Sequence, residues 1–244
     1  MLVKSQVKYI QSLSQKKQRD EAGVFVAEGP KIINELLAAA NIQPEQLYAT
    51  RQWIQTAAIK DSGMVTEVSE QELERLSFLQ TPNQVTGIFK KPFFSPTLHI
   101  TQNVSLLLDG IQDPGNMGSI IRCADWFGIQ LVICSMDCAD VFNPKVVQST
   151  MGSISRVQVI YVEPNDFVKQ YAGIPLYATT LDGTSINQLP AIKEAIIVIG
   201  NESKGIRESL LSLSKHHITI PRKGKAESLN AAVATGIVLS KLLA

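Results

Sequence analysis

The sequence predicts an α/β protein in two parts. A small α/β sandwich spans residues 1–92, and a larger parallel-sheet α/β domain spans 104–244, with a linker at 93–103. Three observations carry this prediction. From Gly23 to Phe89, short β-branched runs alternate with helical ones, the pattern of a compact α/β sandwich. From Val104 onward, the runs SLLLD, QLVIC, RVQVIY, PLYATT, AIIVIG and HITIP are apolar at nearly every position, which suits strands covered on both faces of a parallel sheet. Between them, Lys90-Lys91-Pro92-Phe93-Phe94-Ser95-Pro96 sets two prolines after a strand and breaks the alternation.

The first domain opens on a helix. Val3, Val7, Ile10 and Leu13 recur at helical spacing within Val3 to Lys17, with the lysines largely elsewhere. Gln15-Lys16-Lys17-Gln18-Arg19 then reads as a basic turn entering the buried strand around Val24 to Ala27. Lys16, Lys17 and Arg19 are where phosphate contacts would sit, because a cation beside a phosphate fixes register without reading sequence. Basic turns also simply face water, so this reading stays open. KIINELLAAANI follows as a helix, with Pro30 in its first turn and Asn41 near its end. Strands at Gln46 to Thr50, Met64 to Val68 and Gln84 to Phe89 alternate with helices at Trp53 to Ile59 and Glu70 to Leu76. Phe93 and Phe94 could stack bases, although aromatic pairs more often serve burial.

In the second domain the expected helices are Met117 to Phe127, Asn143 to Met151, Asn165 to Tyr171, Gly205 to Leu213 and Leu229 to Leu243. The last carries Ala231, Ala232, Ala234 and Gly236, so little side-chain bulk keeps another backbone or a flat ligand away from it. Taken alone, the Ser228-Leu229-Asn230 before it reads more simply as an N-cap.

Composition bounds the function without choosing it. With 45% hydrophobic and 18% charged residues, the 244-residue chain can bury a sizeable core. A formal net charge of +1 gives no global electrostatic case for nucleic acid, so RNA contact would have to come from local basic clusters. The N-terminus lacks an apolar signal segment, and no apolar window is long enough for a membrane span, so a cytoplasmic protein is expected. Cys123, Cys134 and Cys138 make an odd count without a C-x-x-C pair, which argues for free thiols and against a zinc site.

A dinucleotide site needs G-x-G-x-x-G in the first strand-to-helix turn. Here that turn is DGIQDPGNMG, with Asp113 and Pro114 where close backbone approach would require glycine. No G-x-x-x-x-G-K-[ST] occurs either. An oxidoreductase built on that fingerprint is therefore disfavoured.

Three segments stand in order along the second domain: Asn116-x-Gly118-x-x-x-Arg122, Gly200-Asn201-Glu202-x-x-Gly205, and Ile220-Pro221-x-x-Gly224 running to Ser228-Leu229-Asn230. Together they resemble the SpoU (TrmH-type) RNA ribose methyltransferases of the SPOUT superfamily. The N-terminal residues Ser14-Gln15-Lys16-Lys17 and Phe25-Val26-Ala27-Glu28-Gly29 are similar to the L30e-like substrate-binding domain that often precedes them. The resemblance implies a C-terminal trefoil knot, S-adenosylmethionine as methyl donor, an rRNA or tRNA substrate, and a homodimer, for which the Ala-rich last helix and Trp126 are plausible interface features. It places Gly200, Ile220 and Leu229 in the cofactor cradle, with Thr180 close by.

The resemblance also makes Arg122 the residue that carries the reaction. An arginine does not give up its proton at neutral pH. The expected role is therefore to hold the target 2′-oxygen and a neighbouring phosphate. Asn116 and Glu202 would brace it, Glu202 as the acidic partner of an otherwise buried Arg122, while Ser228 and Asn230 orient the loop over the cofactor. Lys145, Arg222 and Lys225 are further candidate phosphate contacts. Arg222-Lys223 and Ala231-Ala232 depart from the family pattern, and Gln148 stands where an arginine is usual. A non-catalytic RNA-binding protein on the same fold is the competing class, disfavoured by Arg122, Glu202 and Asn230 occurring together.

Overall fold

The computed structural model describes residues 2–57 and 62–243. The chain divides into two compact units, Met1–Phe94 with Asp140–Ser155, and Ser95–Ala139 with Arg156–Ala244. The first contains helices α1 (Lys4–Ser12) and α2 (Lys16–Ala22), strand β1 (Val24–Glu28), α3 (Pro30–Ala38), β2 (Pro44–Ala49), α4 (Arg51–Thr56), β3 (Val65–Glu67), α5 (Glu70–Glu74) and β4 (Val85–Lys90). Its four strands form a mixed sheet in the order β1-β4-β2-β3. β4 runs antiparallel to both neighbours, and β2 and β3 are parallel. Ile10 and Leu13 from the first helical turns pack with Val26, Leu73, Leu76 and Ile88. Each such buried side chain contributes roughly 1.5–3 kcal/mol.

The single helix expected over Val3 to Lys17 is two helices. Arg19 on α2 explains the break: its Nη1 donates to the carbonyls of Leu13 and Ser14, both at 2.7 Å, just past the end of α1. These carbonyls would otherwise lack a partner where the helix stops. Its Nη2 reaches Asp140 at 2.5 Å, and the residue is 1% exposed. Arg19 is therefore not the phosphate contact expected from its place in a basic run; helix α2 turns it inward, where it ties Asp140 to the α1–α2 corner. Ala58 and Ile59, at the end of the helix expected from Trp53, lie outside the described residues.

The remaining elements are β5 (Val104–Asp109), α6 (Pro114–Trp126), β6 (Leu131–Ser135), α7 (Pro144–Thr150), β7 (Gln158–Val162), α8 (Pro164–Gln170), β8 (Leu176–Ser185), β9 (Ala195–Gly200), α9 (Glu208–Leu213), β10 (His216–Thr219) and α10 (Ala231–Leu242). Of these, α7 lies within Asp140–Ser155 and belongs to the first unit, where Phe142 packs on Phe25 at 5.4 Å between ring centroids. Asn41 Nδ2 also donates to the Ser155 carbonyl there, at 2.9 Å.

The six expected apolar runs all become strands of one sheet, ordered β10-β8-β9-β5-β6-β7, and every pairing is parallel. Leu107, Ile133, Ile196 and Val198 are fully or almost fully buried, in one cluster with Phe167 of α8 and Leu210 of α9. The central strands β5, β6 and β9 are covered on both faces and needed no alternating polar face, so their continuous apolar pattern follows. The last helix, α10, packs against α6.

Candidate active site

The carboxyl ends of three neighbouring strands are locked together by side chains. Asp109, the last residue of β5, stands in register with Gly200, the last of β9. Gly110 then turns with φ +69°, a conformation glycine adopts without penalty. Its N–H donates to Ser135 Oγ at the end of β6 (2.8 Å), and its carbonyl accepts from Asn201 Nδ2 (2.7 Å). Ser135 Oγ in turn donates to Asp137 Oδ1 at 2.5 Å. That bond first, then a backbone N–H and the nearby Arg207 guanidinium, hold the Asp137 carboxyl below the usual carboxylate range against the opposing effect of burial.

Asp109 is 2% exposed, and a buried carboxylate needs partners. It accepts the Arg207 backbone N–H at Oδ2 (2.7 Å), while Arg207 Nε lies 2.6 Å from Oδ1 as an ion pair rather than an aligned hydrogen bond. Beneath this network the Cys138 thiol is lowered to about 7, first by hydrogen bonding with Cys134, with burial opposing and Ser135 assisting.

A second chain of bonds joins the three sequence segments. Asp113 caps α6 by accepting the Asn116 N–H (2.8 Å), with Pro114 in the first turn, where its missing N–H costs nothing. The Asn116 side chain donates from Nδ2 to Glu202 Oε1 at 2.5 Å and accepts at Oδ1 from Asn230 Nδ2 at 2.7 Å. Asn230 Oδ1 then accepts the N–H groups of Ala232 and Val233, at 3.0 and 3.2 Å, starting α10. Asn116 must donate on one side and accept on the other, which a carboxamide can do and a carboxylate cannot. The simple N-cap reading of Asn230 and its place in the site therefore hold at once.

Three of the four expected cradle residues lie on, or just past, three neighbouring strands. β10, β8 and β9 are adjacent in the sheet. The β8–β9 pairing ends at Ala178 and Val198, two residues before Thr180 and Gly200, and Ile220 follows the end of β10. All three are partly exposed. Gly200 is fitted by close approach: a Cβ there would lie 2.5 Å from the Gly205 carbonyl carbon and 2.6 Å from the Ile206 nitrogen. The tight turn is closed by reciprocal backbone bonds between Asn201 and Gly205, at 3.1 and 2.9 Å. The glycine is thus required by the close turn that follows β9. Ser228 and Leu229 lie in the exposed loop before α10, Leu229 at 45% exposure.

Arg122 does not take the expected partner. On α6 the residues Met117, Ile120, Ile121 and Ala124 point inward, and position 122 falls on the opposite face, one turn before the 83% exposed Trp126. Arg122 is exposed and forms no ion pair among the described residues, while Glu202 binds Asn116 instead. The pairing of a buried arginine with Glu202 is corrected accordingly.

Lys16 and Lys17 are exposed and lie 2.6 Å from Asp20 and 3.8 Å from Glu21, one helical turn on. Lys145 is exposed on α7. Lys225 is exposed too, and Arg222 Nη1 donates to the Ala226 carbonyl of its own loop. Asp109, Ser135, Asp137 and Arg207 were not singled out from the sequence. The only local signal was Asp109 ending the run SLLLD, a charge where a buried strand stops.

The SpoU rRNA Methylase family matches residues 103–240, and the MRM3-like substrate binding domain matches residues 4–87. The chain is 30% identical to the Bacillus subtilis 23S rRNA (guanosine(2553)-2′-O)-methyltransferase RlmP, over 97% of this chain and 95% of that one. It is 33% identical to the 23S rRNA (uridine(2479)-2′-O)-methyltransferase of Streptomyces viridochromogenes, over 56% of this chain and 50% of that one. Among solved structures, the AdoMet-bound rRNA methyltransferase of Sinorhizobium meliloti superposes with a TM-score of 0.86, at 33% identity, covering 99% of this chain and 95% of that one.

Proposed function

The chain belongs to the SpoU rRNA Methylase family, and from that premise we propose that it methylates a ribose 2′-hydroxyl of ribosomal RNA, using S-adenosylmethionine as donor. One observation carries the reading: Asn116, Glu202 and Asn230, 86 and 114 residues apart in sequence, meet in a single hydrogen-bonded chain at the strand ends. A non-catalytic binder has no need of this convergence.

When bound, the donor supplies an electrophilic methyl group on its sulfonium. Gly200, Thr180, Ile220 and Leu229 would hold it, largely through backbone groups. The chain's remaining work is positional. Orientation of two reacting groups can supply ~7–11 kcal/mol of a barrier. The Asn116 bridge holds the start of α6 against the Glu202 turn and the start of α10. Arg122, on that same α6, would place the ribose 2′-oxygen and a flanking phosphate. The new C–O bond forms as the C–S bond breaks, and the hydroxyl proton passes to solvent.

The homodimer is part of this proposal, supported by exposed apolar side chains on the two packed helices: Trp126 on α6, and Val233 and Ile237 on α10, at 83%, 51% and 38% exposure. A second copy covering that face would desolvate Arg122. The C-terminal knot belongs to it too, supported by α10 packing on α6 and by the Leu242 carbonyl accepting from Ile192 N (2.7 Å). So do the role of the N-terminal part, 1–92, in selecting RNA through Lys16, Lys17 and Lys145, with catalysis in 104–244, and a cytoplasmic location.

Arg122→Ala tests the assignment. Methyl transfer to rRNA from labelled donor should fall at least a hundredfold, while calorimetry finds donor affinity within about threefold of the parent. Transfer at the parent rate would remove Arg122 from the reaction.

A further inference from the structure

The first unit carries an open groove of about 450 Å³ lined by Ala40, Asn41, Gln43, Lys90, Lys91 and Phe93. It falls in the size range of small-ligand clefts, ~300–1,000 Å³. Phe93 is 76% exposed on it, an uncommon placement for a phenyl ring and the reverse of the burial its sequence context favours. The rim is fixed by backbone bonds: Lys90 N donates to the Gln43 carbonyl (2.9 Å), Lys91 N to the Gly23 carbonyl (3.0 Å) and Phe93 N to the Asn41 carbonyl (3.0 Å). The ring is therefore held out on an ordered segment.

The groove is also basic. Lys91 Nζ sits 2.6 Å from Asp20, and Lys16 Nζ sits 2.6 Å from the same carboxylate, so two ammonium groups share one carboxylate. These bonds lower the Asp20 carboxyl to about 2, so its negative charge persists and the trio keeps a net positive charge at neutral pH. Lys90 adds an exposed ammonium that enters no ion pair among the described residues. Gln43 is exposed, and its side-chain amide makes no hydrogen bond there. Asn41 has its Nδ2 committed to the Ser155 carbonyl, which leaves Oδ1 to accept. A solvent-facing ring, lysines lining the same groove and uncommitted amide groups are the parts of a single-strand nucleotide platform, on which stacking is tolerant of sequence and cations follow the backbone.

We propose that this groove seats one unpaired base of the substrate RNA on Phe93, with Gln43 at the base edge and Lys90 on the adjoining phosphate. The inference rests on the RNA reading above and deepens it: the first unit would recognise an unstacked nucleotide in addition to backbone charge. A-form duplex, whose bases are stacked and paired, would not enter.

The test uses the full chain, with a short single-stranded RNA and its duplex as probes. Trp fluorescence of Phe93→Trp should be quenched by the single strand and not by the duplex. Phe93→Ala should weaken single-strand binding about 10- to 100-fold, and Lys90→Ala should reduce the slope of log affinity against log salt by about one. Donor affinity should be unchanged in all three. Quenching by both probes or by neither, or parental single-strand affinity in Phe93→Ala, overturns the groove assignment while parental methyl transfer leaves the enzyme reading standing. A parent chain that binds no RNA and transfers no methyl overturns both.

Discussion

Replacing Asn116 with Asp changes one NH2 group to an oxygen and leaves shape almost untouched. The Asn230 side meets a stronger acceptor, because its Nδ2 still donates at 2.7 Å. The Glu202 side loses its donor, and two carboxylates face each other at a spacing of 2.5 Å in the parent. Both cannot stay ionised at that distance, so the pair either separates or takes up a proton. A hydrogen bond to a charged group is worth about 1.5–3 kcal/mol. Asn116 and Glu202 are half-buried and Asn230 is exposed, so solvent screening selects the lower end, ~1.5 kcal/mol, or about tenfold in an equilibrium constant.

The sign follows from linkage. A carboxyl pair whose folded-state pKa is raised is stabilised below that value and loses the contribution as pH rises through it. Asn116→Asp should thus bind S-adenosylmethionine about tenfold more weakly than the parent at pH 8 and recover towards it near pH 5.5. The parent amide at this position does not titrate, so each affinity is compared with the parent at the same pH. Calorimetry across that range measures the ratio, and exchange of the Ala232 and Val233 amides, which Asn230 caps, reports whether the start of α10 loosens in parallel. A ratio that stays flat with pH, or parental affinity at pH 8, would falsify the role given to this bridge.

Arg19→Ala removes a buried cation that satisfies two carbonyls and Asp140. Breaking such a pair costs about 3–5 kcal/mol, and the 15% exposure of the Asp140 side chain favours the lower figure. Urea unfolding should show that loss, and a loss below ~1 kcal/mol would mean the guanidinium is not buried as described. Gly200→Ala sets a methyl group against the backbone of Gly205 and Ile206, which cannot move as a side-chain tip can. Overpacking of this kind costs ~1–3 kcal/mol. Donor affinity should fall with stability, and a variant neutral in both would show that the turn has room.

The sequence by itself determined the parallel sheet, because strands buried on both faces must be apolar at every position, and β5, β6 and β9 carry that pattern in their own residues. The family resemblance also marked three segments, around Asn116, Gly200 to Glu202 and Asn230, whose side chains Asn116, Glu202 and Asn230 are joined by hydrogen bonds. Only the tertiary structure decided what those residues touch. Glu202 binds Asn116 rather than Arg122 because Asn116 stands in the first turn of α6, whereas Arg122, six residues on, lies about 120° around the axis and ~9 Å along it, on the exposed face. Arg19 and Phe93 also exchanged their expected places. A basic run and an aromatic pair name chemical types, whereas burial is set by where distant segments close: here the end of α1 and Asp140 around Arg19, and the Asn41 to Gln43 edge beside Phe93.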